Sequence, residues 1–207
     1  LENYRISVNT FNEVAQQYQD KYMCWPEYTA TYDALCDYLS PTARVLDIAC
    51  GPGNIAHYLL TRYPQLDYLG IDLAPNMVTL AQVNNPKGQF KVMDSLDISR
   101  LSAQFDAIVC GFCLPYLNQV QVRSLLSSMA AYLEPNGLIY LSWIAGDLGE
   151  AKAQTSSRGQ QVFTYYYPKQ WLIDVLRQAY IEPLYLHRQQ SPNGQDSELF
   201  MIGRRQR

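Results

Sequence analysis

Val45-Leu-Asp-Ile-Ala-Cys-Gly-Pro-Gly-Asn54 is the stretch that decides how this chain is read. It is an apolar strand, then a glycine turn, then the start of a helix. Gly51 suits the backbone angles of a tight turn. Gly53 has no Cβ, so a ligand can approach the main chain there. The helix N-terminus beyond offers free N–H groups to polar or anionic groups. Taken alone, Gly51-x-Gly53-x-x-Ala56 also fits a dinucleotide fingerprint, and a lone match of that type is weak. Asp47 makes the stretch more specific. It sits inside the strand, four residues before Gly51, where structure alone would favour Val or Ile. A charge there costs free energy unless it is paired. It is suited to accept hydrogen bonds from an ammonium group and loop N–H groups, directly or through water.

The pattern continues on both sides. Short apolar runs at 44–49, 67–72, 90–93, 107–111 and 138–143 read as strands. Helical patterns fill the gaps at 54–63, 75–83 and 120–133. In the last, Val122, Leu125, Leu126, Met129 and Leu133 share one face, and Asn118 suits the N-cap. Pro75 suits a first helical turn. This alternation predicts a parallel sheet covered on both sides. Gly70-Ile-Asp72 ends the second strand, 19 residues after Gly53. An acid at that place can bind both hydroxyls of a ribose. Met93-Asp-Ser-Leu96 ends the third strand. Asp94 could accept the exocyclic amine of an adenine, and the Ser95 N–H could donate to its ring. Three acids at successive strand ends form a strong combined signal.

Two regions leave that rhythm. Residues 1–40 carry two helical stripes, Phe11, Val14, Ala15, Tyr18 and Tyr22, then Tyr28, Tyr32, Leu35 and Leu39, parted at Trp25-Pro26. Residues 146–167 form a polar stretch running into Phe163-Thr-Tyr-Tyr-Tyr167, and connections this long are usually functional. Tyr165 and Tyr167 are expected on one strand face, Tyr166 on the other. Pro168 opens a helix with Trp171, Leu172, Val175, Leu176 and Ala179 inward. A hairpin closes the chain, with strands at 181–187 and 198–203 and a Ser191-Pro-Asn-Gly194 turn. Arg204, Arg205 and Arg207 read as a solvated basic end.

Composition excludes several classes. The chain has 207 residues, 48% of them apolar, enough for one domain with a full core. Net charge is −3, which argues against nucleic acid as a partner. No run approaches a transmembrane span, and no membrane partner is expected. Leu-Glu-Asn-Tyr-Arg at the start is no signal peptide, although a chain beginning with Leu1 invites a natural start further upstream. Five scattered cysteines suggest reduced thiols and a cytoplasmic setting. Cys110 and Cys113 form a C-x-x-C pair without a second metal-ligand pair, so no metal is expected. Tyrosine is in excess: 17, against 6 Phe and 3 Trp.

On these residues the chain resembles the class I S-adenosylmethionine-dependent methyltransferases, over about residues 8 to 203. The matching motifs are Val45 to Asn54, Gly70-Ile-Asp-Leu-Ala-Pro-Asn-Met77, Asp94-Ser-Leu, Phe105-Asp-Ala-Ile-Val-Cys-Gly-Phe112 and Leu133-Glu-Pro-Asn-Gly-Leu-Ile-Tyr140. The resemblance implies a Rossmann-like α/β fold, a seven-stranded mostly parallel sheet with helices on both faces, an antiparallel C-terminal strand and an N-terminal helical cap. One domain spans 1–207: cap 1–40, cofactor core 41–145, substrate-side insert 146–167, and C-terminal helix and hairpin 168–207. It implies S-adenosyl-L-methionine as cofactor. Asp47, Ala49, Cys50, Gly51, Gly53 and Asn54 would hold its methionine part, with Cys110 offering its backbone and Tyr18 and Tyr22 facing the carboxylate. Asp72 would hold the ribose, Leu73 and Met77 would line the adenosine, and Asp94, Ser95 and Leu96 would clamp the adenine.

There are departures from the family pattern. Asn136 replaces a common turn glycine. Phe112-Cys-Leu-Pro-Tyr116 is not the Asp/Asn-Pro-Pro-Tyr signature of adenine or glutamine methylation. Tyr116 stands where many small-molecule relatives have a histidine base. Of the two histidines, His57 is expected at the surface and His187 in a structural position, so no catalytic residue is assigned. Trp25, Tyr116, Tyr165, Tyr166 and Tyr167 are the candidates around an acceptor, whose planar or cationic groups aromatic faces can hold. Tyr28, Tyr32, Tyr38, Tyr58, Tyr63 and Tyr132 are expected in packing roles. The leading expectation is methyl transfer to O or N of a small molecule, by a monomer or homodimer. A nicotinamide-dependent oxidoreductase and a non-catalytic cofactor-binding module are the alternatives.

Overall fold

A computed structural model describes residues 2–155, 159–192 and 194–206. Leu1, Asn193 of the predicted turn and Arg207 of the basic end lie outside the described residues, as do 156–158 of the insert.

Seven strands form one sheet. β1 (Arg44–Ile48), β2 (Asp67–Asp72), β3 (Gln89–Val92), β4 (Phe105–Cys110) and β5 (Leu133–Ala145) are parallel. β8 (Ile181–Gln190) and β9 (Ser197–Arg205) complete it in the order β3-β2-β1-β4-β5-β9-β8. β9 runs antiparallel to both β5 and β8. The chain is therefore a Rossmann-like sheet with one reversed strand, as the sequence pattern and the family resemblance implied. The strand order reverses direction between β1 and β4, which leaves a crevice at their carboxyl ends.

The helices follow local chemistry. α4 (Asn54–Arg62) starts at the glycine turn, and α5 (Pro75–Asn84) starts at a proline. α6 (Gln119–Tyr132) opens with a capping box: Gln121 N–H donates to Asn118 Oδ1 at 3.0 Å, and Asn118 N–H donates to Gln121 Oε1 at 2.9 Å. Its stripe of Val122, Leu125, Leu126 and Met129 is buried in the core with Leu133. α7 (Lys169–Gln178) follows Pro168 and buries Leu172, Val175 and Leu176. Asn136 takes φ +64, the left-handed geometry that explains why glycine is common at this turn.

The expectations outside this core need correction. The first cap stripe is broken at Val14 into α1 (Glu2–Glu13) and α2 (Ala15–Tyr22). The second stripe folds as a short 3-10 turn at Pro26–Tyr28 followed by α3 (Thr29–Cys36). The insert contains a second sheet, the hairpin β6 (Lys152–Thr155) and β7 (Gln161–Thr164). α1 docks on it: Thr10 Oγ1 donates to Gln161 O at 2.6 Å, and Phe163 N–H donates to Ser7 Oγ at 3.0 Å. Tyr165, Tyr166 and Tyr167 lie beyond the end of β7, so the expected alternation on one strand does not form. Arg204 and Arg205 belong to β9, and Arg205 bonds the Leu133 carbonyl.

Candidate functional site

Two adjoining cavities open at the carboxyl ends of β1, β2 and β4. The larger has an empty volume of about 700 Å³ and is mostly apolar, with Asp72 and Ser95 among its polar members. Leu73, Met77 and Met93 line it, with Tyr4 and Phe11 of α1, and Tyr116, whose ring meets Phe11 at 4.9 Å. The smaller, about 410 Å³, is walled by Asp47, Cys50, Asn54 and Ser142, and by the phenols of Tyr28, Tyr32 and Tyr140. Tyr18, Ala49, Gly51, Gly111 and Phe112 line both.

The shared wall is made of backbone turning sharply at two strand ends. Ala49 has φ +55 and Phe112 has φ +52, a region that L-residues seldom adopt. Strain of this kind persists only where surroundings enforce it, and it concentrates at ligand sites. Phe112 N–H is held by Ser142 Oγ at 2.9 Å. Gly51, at φ +54, faces open space: a Cβ there would meet only Tyr18, at 3.9 Å.

Gly53 is different. Its φ is +81, and a Cβ would lie 2.3 Å from Asn85 Nδ2 and 3.3 Å from Ala81 Cα. Asn85 Nδ2 in turn donates to the Gly53 carbonyl at 3.0 Å. The missing Cβ serves the packing of α4 against α5, not the approach of a ligand, which corrects the expectation for this residue.

Asp47 is 1% exposed. Its Oδ2 accepts from the Tyr68 hydroxyl at 2.8 Å, while Oδ1 has no partner among the described residues. Burial pushes its carboxyl up to about 7, against the partial relief of the Tyr68 bond. A buried carboxylate oxygen left open in a polar cavity is suited to a cationic ligand group, because leaving it unmet costs free energy. Asp72 is also raised by burial, although Gly51 N–H donates to its Oδ2 at 2.9 Å and Ala74 N–H to its Oδ1 at 2.8 Å. It thus ties the glycine loop to the start of α5. Asp94 Oδ1 accepts from Leu96 N–H at 2.9 Å and from the Tyr4 hydroxyl at 2.8 Å. Tyr4 also lies 3.3 Å from Ser95 Oγ.

The expected residues divide accordingly. Tyr18, Asp47, Ala49, Cys50, Gly51, Asn54, Asp72, Leu73, Met77, Ser95 and Tyr116 line these cavities, whereas Asp94 and Leu96, on either side of Ser95 in the chain, line neither and bond to each other. Cys110 is fully buried within β4, and Gly111 and Phe112 present the chain to the cavity in its place. Tyr22 and Trp25 form an aromatic file behind Tyr18, with ring centroids 4.7 Å and 5.8 Å apart along it, and line neither cavity. Tyr165 and Tyr166 also line neither. Tyr167 is a core residue: 1% exposed, bonded to the Leu117 carbonyl and stacked on Trp171.

Tyr28 and Tyr32 were expected in packing roles, yet both reach the smaller cavity. Tyr4, Phe11 and Phe112 were missed. The cap's position over the sheet reveals Tyr4 and Phe11, for which the aromatic excess in residues 1–40 was the available signal; Phe112 is turned to the cavity by its positive φ beyond β4. His57 is exposed and His187 stacks on Tyr185, so neither lines these cavities. Among the described residues no cluster of three or more His, Cys, Asp or Glu is placed to hold a metal ion.

Fold and cavity together define a Rossmann-like α/β domain with a ligand cleft at the carboxyl ends of its strands. Residues 45–137 match the family model of the methyltransferase domain. That match spans 93 of the 207 residues, and over it the chain is similar to methyltransferase domains. It is 33% identical over 103 residues to the trans-aconitate 2-methyltransferase of Methylobacterium nodulans, covering 49% of this chain and 38% of that protein. It is 33% identical over 102 residues to the demethylmenaquinone methyltransferase of Deinococcus radiodurans, covering 47% and 42%. The chain thus aligns with less than half the length of these two curated relatives. In fold it is similar to the Burkholderia thailandensis 1,6-didemethyltoxoflavin-N1-methyltransferase, solved with 1,6-didemethyltoxoflavin and S-adenosylhomocysteine. That match has a TM-score of 0.76 and 21% identity, and covers 100% of this chain and 90% of the other.

Proposed function

We propose that the protein transfers a methyl group from S-adenosylmethionine to an oxygen or nitrogen of a small molecule. The observation that carries this reading is the open Oδ1 of buried Asp47, placed in a polar cavity that adjoins a larger apolar one beside Asp72. The pair suits a zwitterionic amino-acid end and a nucleoside end in one ligand. Asp47 and the backbone from Ala49 to Gly51 would hold the methionine part, with Gly111, Phe112 and Tyr18 closing over it. Asp72 would take the ribose hydroxyls. Leu73, Met77 and Ser95 would enclose the base.

When bound, the sulfonium supplies an activated methyl group, whose carbon–sulfur bond breaks as the new bond to O or N forms. The protein's own part is positioning and exclusion of water. Phe11, Phe112 and Tyr116 supply an apolar, aromatic wall for both. The neighbouring methyltransferases named for small acceptors support this substrate class.

Calorimetry with S-adenosylhomocysteine and NADH, followed by transfer of labelled methyl to an acceptor panel, tests the proposal. Binding of S-adenosylhomocysteine and label in an acceptor are expected. Tight NADH binding without S-adenosylhomocysteine binding would replace the reading with an oxidoreductase. Cofactor binding with no transfer to any acceptor would favour a non-catalytic module.

A further inference from the structure

We propose that Tyr68 is the positioning residue for the cofactor's amino-acid end: its hydroxyl holds one oxygen of Asp47 and so fixes the other as the acceptor for the ligand's ammonium group. This rests on the methyl-transfer reading above and deepens it at the same site.

β1 and β2 set the pair side by side. Their parallel register places Val45 opposite Tyr68 and Asp47 opposite Gly70, so Tyr68 and Asp47 share one face of the sheet. A Cβ on Gly70 would lie 2.5 Å from Phe90 Cδ1, so the Phe90 ring takes the place beside Asp47 that a side chain at 70 would fill. The same ring stands 6.3 Å from that of Tyr68, centroid to centroid. Tyr68 is 2% exposed and lines neither cavity. It therefore acts on a ligand only through Asp47, which walls the smaller cavity.

The bond decides which oxygen a ligand finds. Tyr68 O–H donates to Asp47 Oδ2 at 2.8 Å, while Oδ1 has no partner among the described residues. No ion pair among the described residues involves Asp47. With Oδ2 already accepting, the proton that burial keeps on this carboxyl sits on Oδ1. An ammonium N–H can donate to Oδ1 only after that proton has left for solvent. Binding thus releases a proton where Asp47 is neutral and none where it is already charged. A phenol donating to the carboxyl favours its charged form, so Tyr68 makes the release less costly.

The groups around Asp47 leave few that can change charge with it. Burial raises Tyr68, Tyr32 of α3, Cys50 beyond β1 and Tyr140 of β5. Its bond with Cys113, together with burial, raises Cys110 of β4. All five stay neutral near pH 7. Asp72, raised by burial, is the other acid in reach.

Two probes separate these acids. S-adenosylhomocysteine carries the amino-acid end, and adenosine shares its nucleoside without that end. Both are titrated calorimetrically into the protein and into Tyr68→Phe, between about pH 5.5 and 8.5. In the unaltered protein, S-adenosylhomocysteine affinity should rise about ten-fold per pH unit below about 7 and then level off. Buffers of different ionisation enthalpy should count about one more proton released with S-adenosylhomocysteine than with adenosine near pH 6. Tyr68→Phe should weaken S-adenosylhomocysteine by about ten-fold or more near pH 6 and move the levelling-off upward by about one pH unit. Adenosine should bind the two proteins within about two-fold of each other throughout. Titration of Asp72 acts on both probes and cancels in their ratio. Equal loss of both probes in Tyr68→Phe, or an unchanged S-adenosylhomocysteine affinity and pH profile, overturns the proposal. Equal proton counts for the two probes in the unaltered protein overturn it without recourse to a variant. Failure of S-adenosylhomocysteine to bind the unaltered protein at any pH overturns the methyl-transfer reading, and the proposal with it.

Discussion

The Tyr4 hydroxyl donates to Asp94 Oδ1 at 2.8 Å, across 90 residues of sequence. The first turns of the cap therefore satisfy the carboxylate that the sequence motif would offer to an adenine amine. Tyr4 lines the larger cavity and is 8% exposed. A nucleobase bound as the proposed function has it would compete with the cap for that acceptor.

Removing that competitor should help the ligand. Tyr4→Phe is expected to tighten S-adenosylhomocysteine binding by about five-fold, in line with a hydrogen bond worth about 1 kcal/mol. Calorimetry checks it. Weaker binding by the variant would show that Tyr4 supports the nucleoside instead of displacing it.

Asp47 gives the cofactor-free protein a distinctive pH response. Its carboxyl rises from 3.8 to about 7 on folding. Between those values the folded chain keeps a proton that the unfolded chain has lost, so stability falls as pH rises and levels off above about 7. The full shift corresponds to about 4 kcal/mol. Asp72 and Glu198, also raised, add in the same direction. Urea denaturation from pH 4 to 8 should show the decline, and Asp47→Asn should flatten most of it while abolishing S-adenosylhomocysteine binding. A variant as pH-sensitive as the parent would count against the buried, proton-holding carboxyl.

Asp72 has two duties, and its variants should separate them. Asp72→Ala removes the proposed ribose contact and also frees the N–H groups of Gly51 and Ala74. Affinity for S-adenosylhomocysteine should fall at least about ten-fold, the loss expected when charged hydrogen bonds of about 1.5–3 kcal/mol disappear. Asp72→Asn keeps one acceptor and should lose less. Unchanged affinity in the alanine variant would refute the ribose role.

At Gly53 the expected cost is structural. Gly53→Ala places a methyl 2.3 Å from Asn85 Nδ2, at φ +81. Destabilisation of about 1–3 kcal/mol follows from strain and overpacking. The double variant with Asn85→Ala should recover part of it, because the side-chain clash goes while the backbone strain stays. Thermal unfolding of the two proteins measures this; a single variant as stable as the parent would contradict the packing role.

The core was legible because its determinants are local. The apolar run with Asp47 inside it, the glycine turn and the Asn118 capping box each announce an element within a few residues. The cap was harder. Phe11, Tyr18 and Tyr22 fall on one helical stripe, yet the helix breaks at Val14, where the chain bends to keep α1 on the β6–β7 hairpin. Tyr165, Tyr166 and Tyr167 looked like a substrate strand. Tyr167 instead turns inward to stack on Trp171 while its carbonyl accepts from the Trp143 indole. Trp171 is four residues on, at the start of α7, but Trp143 is 24 residues away on β5.

From the sequence by itself came the alternating strands and helices, the glycine loop and the three acids at strand ends, because backbone propensity and burial period act over short spans of chain. Tertiary structure alone decided what those acids meet. It left Asp47 Oδ1 open, gave Asp94 to Tyr4, and set Glu198 behind Tyr28, 170 residues away. Such pairings depend on which surfaces the folded sheet brings together, and no local pattern encodes that distance. The tyrosine excess divides along the same line: its location in the cap was visible in the sequence, but which phenols face a cavity was set only when the cap packed down.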